Sequence, residues 1–301
     1  MLSLPLVALF NLLSFAFQGM HRVVAATFFQ QLGVGLGFVL LFILVWWQWN
    51  SWLNAGNAAV LYFLVAVLVL LIASAVWLRQ PHAEVSFPAV NQWKNSELWR
   101  SSSNLWAAAS MSLLVQWSGV LIAGVMIAAA DLAHLSAAQR TANVTSFVLM
   151  VVNMAVAPRY ARLWKEQKMA ELQRLARVST MAMIALVLPV VAVMVIFPGW
   201  LMALFGDGFE QGAMLLTIMA VGQFINVATG SVGYLLNMSG HEKDFRRVTL
   251  FAGPLTIVAA VLLTWQFGVL GAATATAIGV AVQNIGALFM VHKRLGFWPI
   301  G

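Results

Sequence analysis

Apolar residues run in long, nearly unbroken stretches along the chain, separated by shorter polar connections. The stretches fall near 1–18, 24–47, 57–78, 105–130, 141–158, 178–205, 211–237, 248–267 and 269–291. A bilayer core about 30 Å thick is crossed by roughly 20 apolar residues of helix, so each stretch predicts a crossing helix, the first and fifth being shortest. The period-2 alternation of a barrel strand is missing. The pattern therefore predicts an all-α fold, a polytopic transmembrane helical bundle of about nine spans. The first stretch lacks a basic n-region and a small-residue cleavage site before a polar mature sequence, so it reads as a span rather than a secretory signal.

The connections organise the bundle. The longest, 79–104, carries Pro81, Pro88 and the run Ser101–Ser102–Ser103, and predicts a hinge between three spans in 1–78 and six in 105–301. Residues 159–177 are charged but rich in helix formers such as Ala161, Leu163, Glu166, Ala170, Leu172 and Ala176. They predict an amphipathic helix on the membrane surface, whose basic face either meets anionic headgroups or only fixes topology. A faint repeat pairs Gly19-Met-His-Arg with Gly240-His-Glu-Lys-Asp-Phe-Arg-Arg, six spans apart, as in parallel-repeat transporters.

Composition sharpens this picture. Of 301 residues 62% are hydrophobic and 8% charged, against about 25% charged in soluble domains, which excludes an ordinary soluble protein. The absence of cysteine excludes disulfides, thiolate metal sites and a cysteine nucleophile. The net charge of +7 is a matter of topology. Fifteen of the 16 Lys and Arg lie in alternate connections and after the last span, on one side, and only Arg140 lies with Asp131, Asp207 and Glu210 on the other. The basic side, with the C-terminus, is predicted to be cytoplasmic. With no basic face outside these turns, nucleic acid is not an expected partner. An odd span count then leaves Met1 outside. A chain lacking an odd number of preceding spans accounts for that; self-insertion with an outside N-terminus, or one miscounted span, is the alternative. Trp46, Trp47, Trp49, Trp52, Trp200 and Trp265 at one set of boundaries, with Trp77, Trp106 and Trp164 at the other, form aromatic belts. Trp117, inside span four, is the exception.

Enzyme signatures (a Walker loop, GxSxG, HExxH) are absent, and the five histidines lie in loops or at span ends without metal-ligand spacing. A non-enzyme without cofactor or metal is expected. Within the membrane layer the chemistry is neutral amides and one cation. Arg140 opens span five within Ser136-Ala-Ala-Gln-Arg-Thr-Ala-Asn143, beside Gln139 and Asn143. Its permanently charged guanidinium suits an anionic group such as a pyrophosphate in a water-filled cavity. It equally suits snorkelling to outer headgroups, or a pair with Asp131. Gln116 beside Trp117, Asn143, Asn153, Gln223, Asn226, Gln283 and Asn284 are the neutral candidates. Amides in hydrocarbon bond across helices or line a cavity. No Asp or Glu lies deep in a span, which argues against a proton relay. Small-residue runs at Gly33–Gly37 and Gly271–Ala277 predict close helix packing.

Three stretches resemble polysaccharide flippases of the multidrug/oligosaccharidyl-lipid/polysaccharide exporter superfamily. One is Leu132 to Leu163, a small-residue, Arg-containing helix start followed by a span ending in Asn, Pro and a basic turn. The most specific is Leu204 to Arg247, with Leu-Phe-Gly before a turn, Gly222-Gln223 with Asn226, and Leu-Asn-Met-Ser-Gly before a charged turn. Phe17 to Val24 is a weaker match. The resemblance implies two pseudo-symmetric lobes around a V-shaped cavity. Residues 1–78 would be the second half of the first lobe, 79–104 the inter-lobe linker and 105–301 the second lobe. It also implies that three helices are missing from the first lobe. The implied activity is translocation of an undecaprenyl-diphosphate-linked oligosaccharide across the cytoplasmic (inner) membrane of a bacterium for polysaccharide or lipopolysaccharide biosynthesis, by a monomer whose lobes rock. Substrate and phospholipid bilayer are the implied partners, and Arg140, Gln139, Asn143, Gln116, Trp117, Gln223 and Asn226 are the expected cavity residues. A drug or cation antiporter of the same superfamily, a membrane glycan polymerase or ligase, and an inactive remnant are the competing readings.

Overall fold

The computed structural model describes residues 3–20, 22, 25, 28–48, 55–79 and 96–300. Features expected at His21, Trp49, Trp52, Pro81 and Pro88 lie outside the described residues. All regular structure among the described residues is helical, and six segments are long and apolar enough to cross a membrane. These are Gly56–Leu78, Ser102–Met126, Ala129–Lys165, Met169–Ile196, Phe209–Met238 and Glu242–Leu295, with shorter apolar helices at Pro5–Phe17 and Gly33–Gln48. The chain divides into two compact units, Met1–Val90 and Asn91–Gly301.

The first unit contains α1 (Ser3–Gly19), a short π-helical turn (Phe28–Leu32) continuing into α2 (Gly33–Gln48), and α3 (Ala55–Leu78). Gly33 and Gly37, one turn apart, face Val69 and Val65 of α3, so the two helices run antiparallel along a glycine stripe. Phe17, Phe29, Val65, Val69 and Ala73 form the core, with Trp77 edge-on to Phe17.

The second unit contains α4 (Ser96–Met126), α5 (Ala129–Ala142), α6 (Thr145–Lys165), α7 (Met169–Ile196), the short α8 (Pro198–Ala203), α9 (Ala213–Ala228), α10 (Val232–Met238) and α11 (Glu242–Leu295). Segment α11 is two helices. Gly268 breaks it with φ 58° and ψ −137°, a conformation open to a residue without Cβ. The limbs fold back on each other. Arg294 Nε reaches Asp244 Oδ2 at 2.7 Å across fifty positions, which a straight helix would hold roughly 75 Å apart. Thr256 packs beside Gly279, and Val248 beside Gly286. Glu242 and Asp244 in the first turn, with His292, Lys293 and Arg294 in the last, complement the dipoles of both limbs. Leu135, Ala138, Met183, Val187, Leu216, Ala220 and Ala272 fill one core. Tyr160, Leu172, Leu235, Leu236 and Val291 fill a second, towards the basic end.

The basic turns converge at that end. Arg294 bonds Asp244, Trp164 packs edge-on to His241, and Arg177 Nε donates to the Trp298 carbonyl. At the opposite end His134 meets Phe209 and Gly212.

Three expected connections are different in the structure. Residues 131–140 are not an irregular turn but most of α5, which starts at Ala129. Alanine favours helix, and Asp131 in the first turn suits its dipole. The run Ser101–Ser103 lies within α4 rather than in a hinge. Residues 159–177 form no separate surface helix. Helix α6 runs through Pro158 to Lys165, the chain turns with Gln167 at φ 58°, and α7 starts at Met169. The apolar side of this stretch, Tyr160, Leu163, Leu172 and Ala176, is consumed in the second core rather than offered to lipid. Tyr160 Oη and Ser179 Oγ, 2.9 Å apart, clasp the two helices.

Candidate functional site

The sequence places neutral amides on α4, α5 and α9, and the fold brings them together. Gln139 Nε2 donates to the backbone carbonyl of Gln116 at 2.7 Å, tying α5 to α4. Gln223 Nε2 donates to Asn143 Oδ1 at 3.0 Å, and Asn226 Nδ2 donates back to Gln223 Oε1 at 3.1 Å. Ser146 Oγ donates to the same Oε1 at 3.4 Å. Asn143 sits at the irregular joint between α5 and α6, where the helical ladder tightens and its side chain is free to turn towards α9. Gln139, Asn143 and Gln223 line one cleft with Gly222, Thr276 and Ala277. It encloses about 10 Å³, the space of about one water. Gln139 is 3% exposed and its Oε1 faces no protein donor, which leaves a buried acceptor to be met by water.

Gln116 precedes Met126 by ten residues and Gln223 follows Ala213 by ten, so each lies roughly 15 Å along its helix from that end. Arg140 follows Gln139 directly, so it lies at the level of the amide cluster along α5. Its side chain is exposed, and among the described residues no carboxylate is paired with it, Asp131 included. Trp117 is exposed and Gln116 half-buried. Neither side chain lines the amide cleft; Gln116 contributes its carbonyl. Ser146 and Thr276 belong to the cluster without having been expected. Thr276 stood inside the small-residue run Gly271–Ala277, whose only visible signal was close packing. Among the described residues no group of His, Asp and Glu has the arrangement of a metal site.

Gln223 makes the most side-chain bonds in the cluster. Gln223→Leu is expected to lower stability by about 2 kcal/mol, from three bonds each worth up to about 1 kcal/mol in a membrane bundle and the acceptor and donors left unpaired. Unfolding of the purified chain in mixed SDS–detergent micelles measures it, and an unchanged midpoint would contradict the network's structural weight.

Fold and site together define an all-α polytopic membrane protein with a layer of amides packed between its helices. Residues 107–262, just over half of the chain, match the MatE family, and the chain belongs to that family, one of transporters rather than enzymes. It is 24% identical over 173 residues to the "Probable low-salt glycan biosynthesis flippase Agl15" of Haloferax volcanii, covering 56% of this chain and 36% of that protein. It is 24% identical over 256 residues to the uncharacterized membrane protein MJ1068 of Methanocaldococcus jannaschii, covering 80% of this chain and 48% of that one. The chain thus spans about half the length, or less, of these relatives. Among solved structures, a MATE protein crystallised in the straight conformation superposes with a TM-score of 0.69 at 14% identity, over 95% of this chain and 66% of that chain.

Proposed function

We propose that the protein acts in translocating a polyprenyl-diphosphate-linked oligosaccharide, with an undecaprenyl carrier in a bacterial host, across the cytoplasmic membrane for polysaccharide assembly. The observation that carries this reading is Arg140: exposed, unpaired among the described residues and next to the buried amides. A permanently charged guanidinium beside a layer of buried amides suits an aqueous path, where it meets the substrate's diphosphate with a bidentate fork. Gln139, Asn143, Gln223 and Asn226 hold α5 and α9 in register behind it, while Gln116 and Trp117 on α4 offer a polar and a stacking surface suited to sugar. The flippase named among the relatives supports the substrate class. Counting α11 as two crossings and adding the two shorter apolar helices gives nine spans, three in residues 1–78 and six in 105–301, joined by the linker 79–104. The protein works as a monomer by rocking of these two groups, and the basic end with the C-terminus faces the cytoplasm.

Arg140→Ala in the complete gene product is expected to abolish rescue of glycan export in a flippase-null strain, and Arg140→Lys to restore part of it. Normal export by a well-expressed Arg140→Ala protein would remove Arg140 from the substrate path. Rescue of drug or cation efflux, but not of glycan export, by the unaltered protein would replace the substrate class.

A further inference from the structure

At the basic end α6 and α7 border an open groove of about 760 Å³ lined by Arg159, Arg162 and Arg174, with Glu171 as the one carboxylate in its lining. Arg162 also lies 3.8 Å from Glu166, at the limit of an ion pair, and Glu166 is taken by Lys168 at 2.9 Å. That lysine hydrogen bond holds the Glu166 carboxyl below its ordinary range, so Glu166 is already committed elsewhere. Arg159 and Arg174 have no carboxylate partner among the described residues. Three arginines against one carboxylate in its lining leave an excess of two positive charges around a space the size of a small-ligand site. The antiparallel packing that sets their level is fixed by the Tyr160–Ser179 clasp just below.

The groove is not closed by polar residues on its membrane side. Val178 lines it, and the same face of α7 continues one and three turns on with exposed Met181 and Leu188. On α6 the face of Arg162 and Arg159 continues through exposed Val151 and Phe147. An arginine-lined mouth thus opens onto two apolar rows that run in the membrane direction. From this juxtaposition we infer that the α6–α7 groove binds an anionic phospholipid of the leaflet at the basic end, its phosphate held by Arg159, Arg162 and Arg174 and its acyl chains lying along the two rows. A soluble phosphate would use the guanidiniums but not the rows. A zwitterionic lipid would bring its own cation into a groove already in excess of positive charge. Basic residues acting only as topology determinants need neither a shared groove nor an apolar continuation.

The test is native mass spectrometry of the full 301-residue chain in detergent, titrated with phosphatidylglycerol, phosphatidylcholine or glycerol 3-phosphate. Phosphatidylglycerol is expected to be retained over phosphatidylcholine, and Arg159→Gln/Arg174→Gln to weaken its retention roughly tenfold or more, as two surface cations contribute, leaving phosphatidylcholine unchanged. Val178→Glu, at an exposed position, places a carboxylate in the groove and serves as the reading if the double variant aggregates; it is expected to expel phosphatidylglycerol. Equal retention of the two lipids, unchanged phosphatidylglycerol binding in either folded variant, or displacement by equimolar glycerol 3-phosphate would overturn the assignment.

Discussion

Arg294→Ala is expected to destabilise the protein by about 3 kcal/mol, and Asp244→Asn by only about 1 kcal/mol. The asymmetry follows from burial. The Asp244 carboxylate is 7% exposed and accepts from Arg294 Nε at 2.7 Å and from a second Arg294 nitrogen at 3.1 Å. Removing the arginine strands that carboxylate with Arg247 alone, 3.3 Å away on a largely exposed side chain. Breaking a buried pair from one side costs about 3–5 kcal/mol, and Arg247 brings the expectation to the low end. Removing the charge from Asp244 instead frees Arg294, whose side chain is 42% exposed and reaches water. The double variant should cost less than the two singles added, because the second change removes the stranded charge the first created. Unfolding in mixed micelles measures all three. A larger loss from Asp244→Asn than from Arg294→Ala would show that the pair does not close the hairpin in the way its burial implies.

That pair also shows where a sequence stops being readable. Asp244 and Arg294 stood in two basic turns fifty positions apart, and nothing local distinguishes a latch from ordinary topology charges. The spans themselves were legible because hydrocarbon enforces long apolar runs, and the break at Gly268 separated two such runs before any contact was known. Two of the three connections that differ do so for opposite reasons. Residues 131–140 are too polar and too poor in large apolar residues for a span, yet alanine carries them into a helix, which places Arg140 on α5 beside Gln139. Residues 159–177 were amphipathic as a lipid-surface helix is, but Leu163, Leu172 and Ala176 face the chain's own core. Amphipathicity states that a face is covered and not what covers it. The amides were visible as residue types, because few polar groups are tolerated in an apolar run. Their pairing of Gln223 with Asn143 was not, since it depends on the joint at Asn143 turning one side chain across to another helix.

Gly222→Leu is the second large effect, expected to cost more than about 3 kcal/mol and to disorder the amide cluster. A Cβ at Gly222 would lie 2.9 Å from both Cα and Cβ of Ala277. The first of these is backbone, which no rotamer change can withdraw, so helix α9 must move away from the second limb of α11. Even Gly222→Ala should lose about 1–2 kcal/mol, because the overpacking outweighs the roughly 1 kcal/mol by which alanine favours a helix. Gly124 on α4 supplies the contrast: a Cβ there meets Leu132 at 3.5 Å, an ordinary contact, and Gly124→Ala should be neutral or slightly stabilising. The leucine variant has a further consequence that a stability measurement alone would miss. Gly222 adjoins Gln223 and lines the same cleft, so a shift of α9 also disturbs the Gln223–Asn143 bond. A Gly222→Leu protein should therefore gain little further instability from Gln223→Leu, whereas the two changes would add if packing and network were independent. Strict additivity in that cycle would separate the glycine contact from the amide layer and leave Gly222 as packing alone.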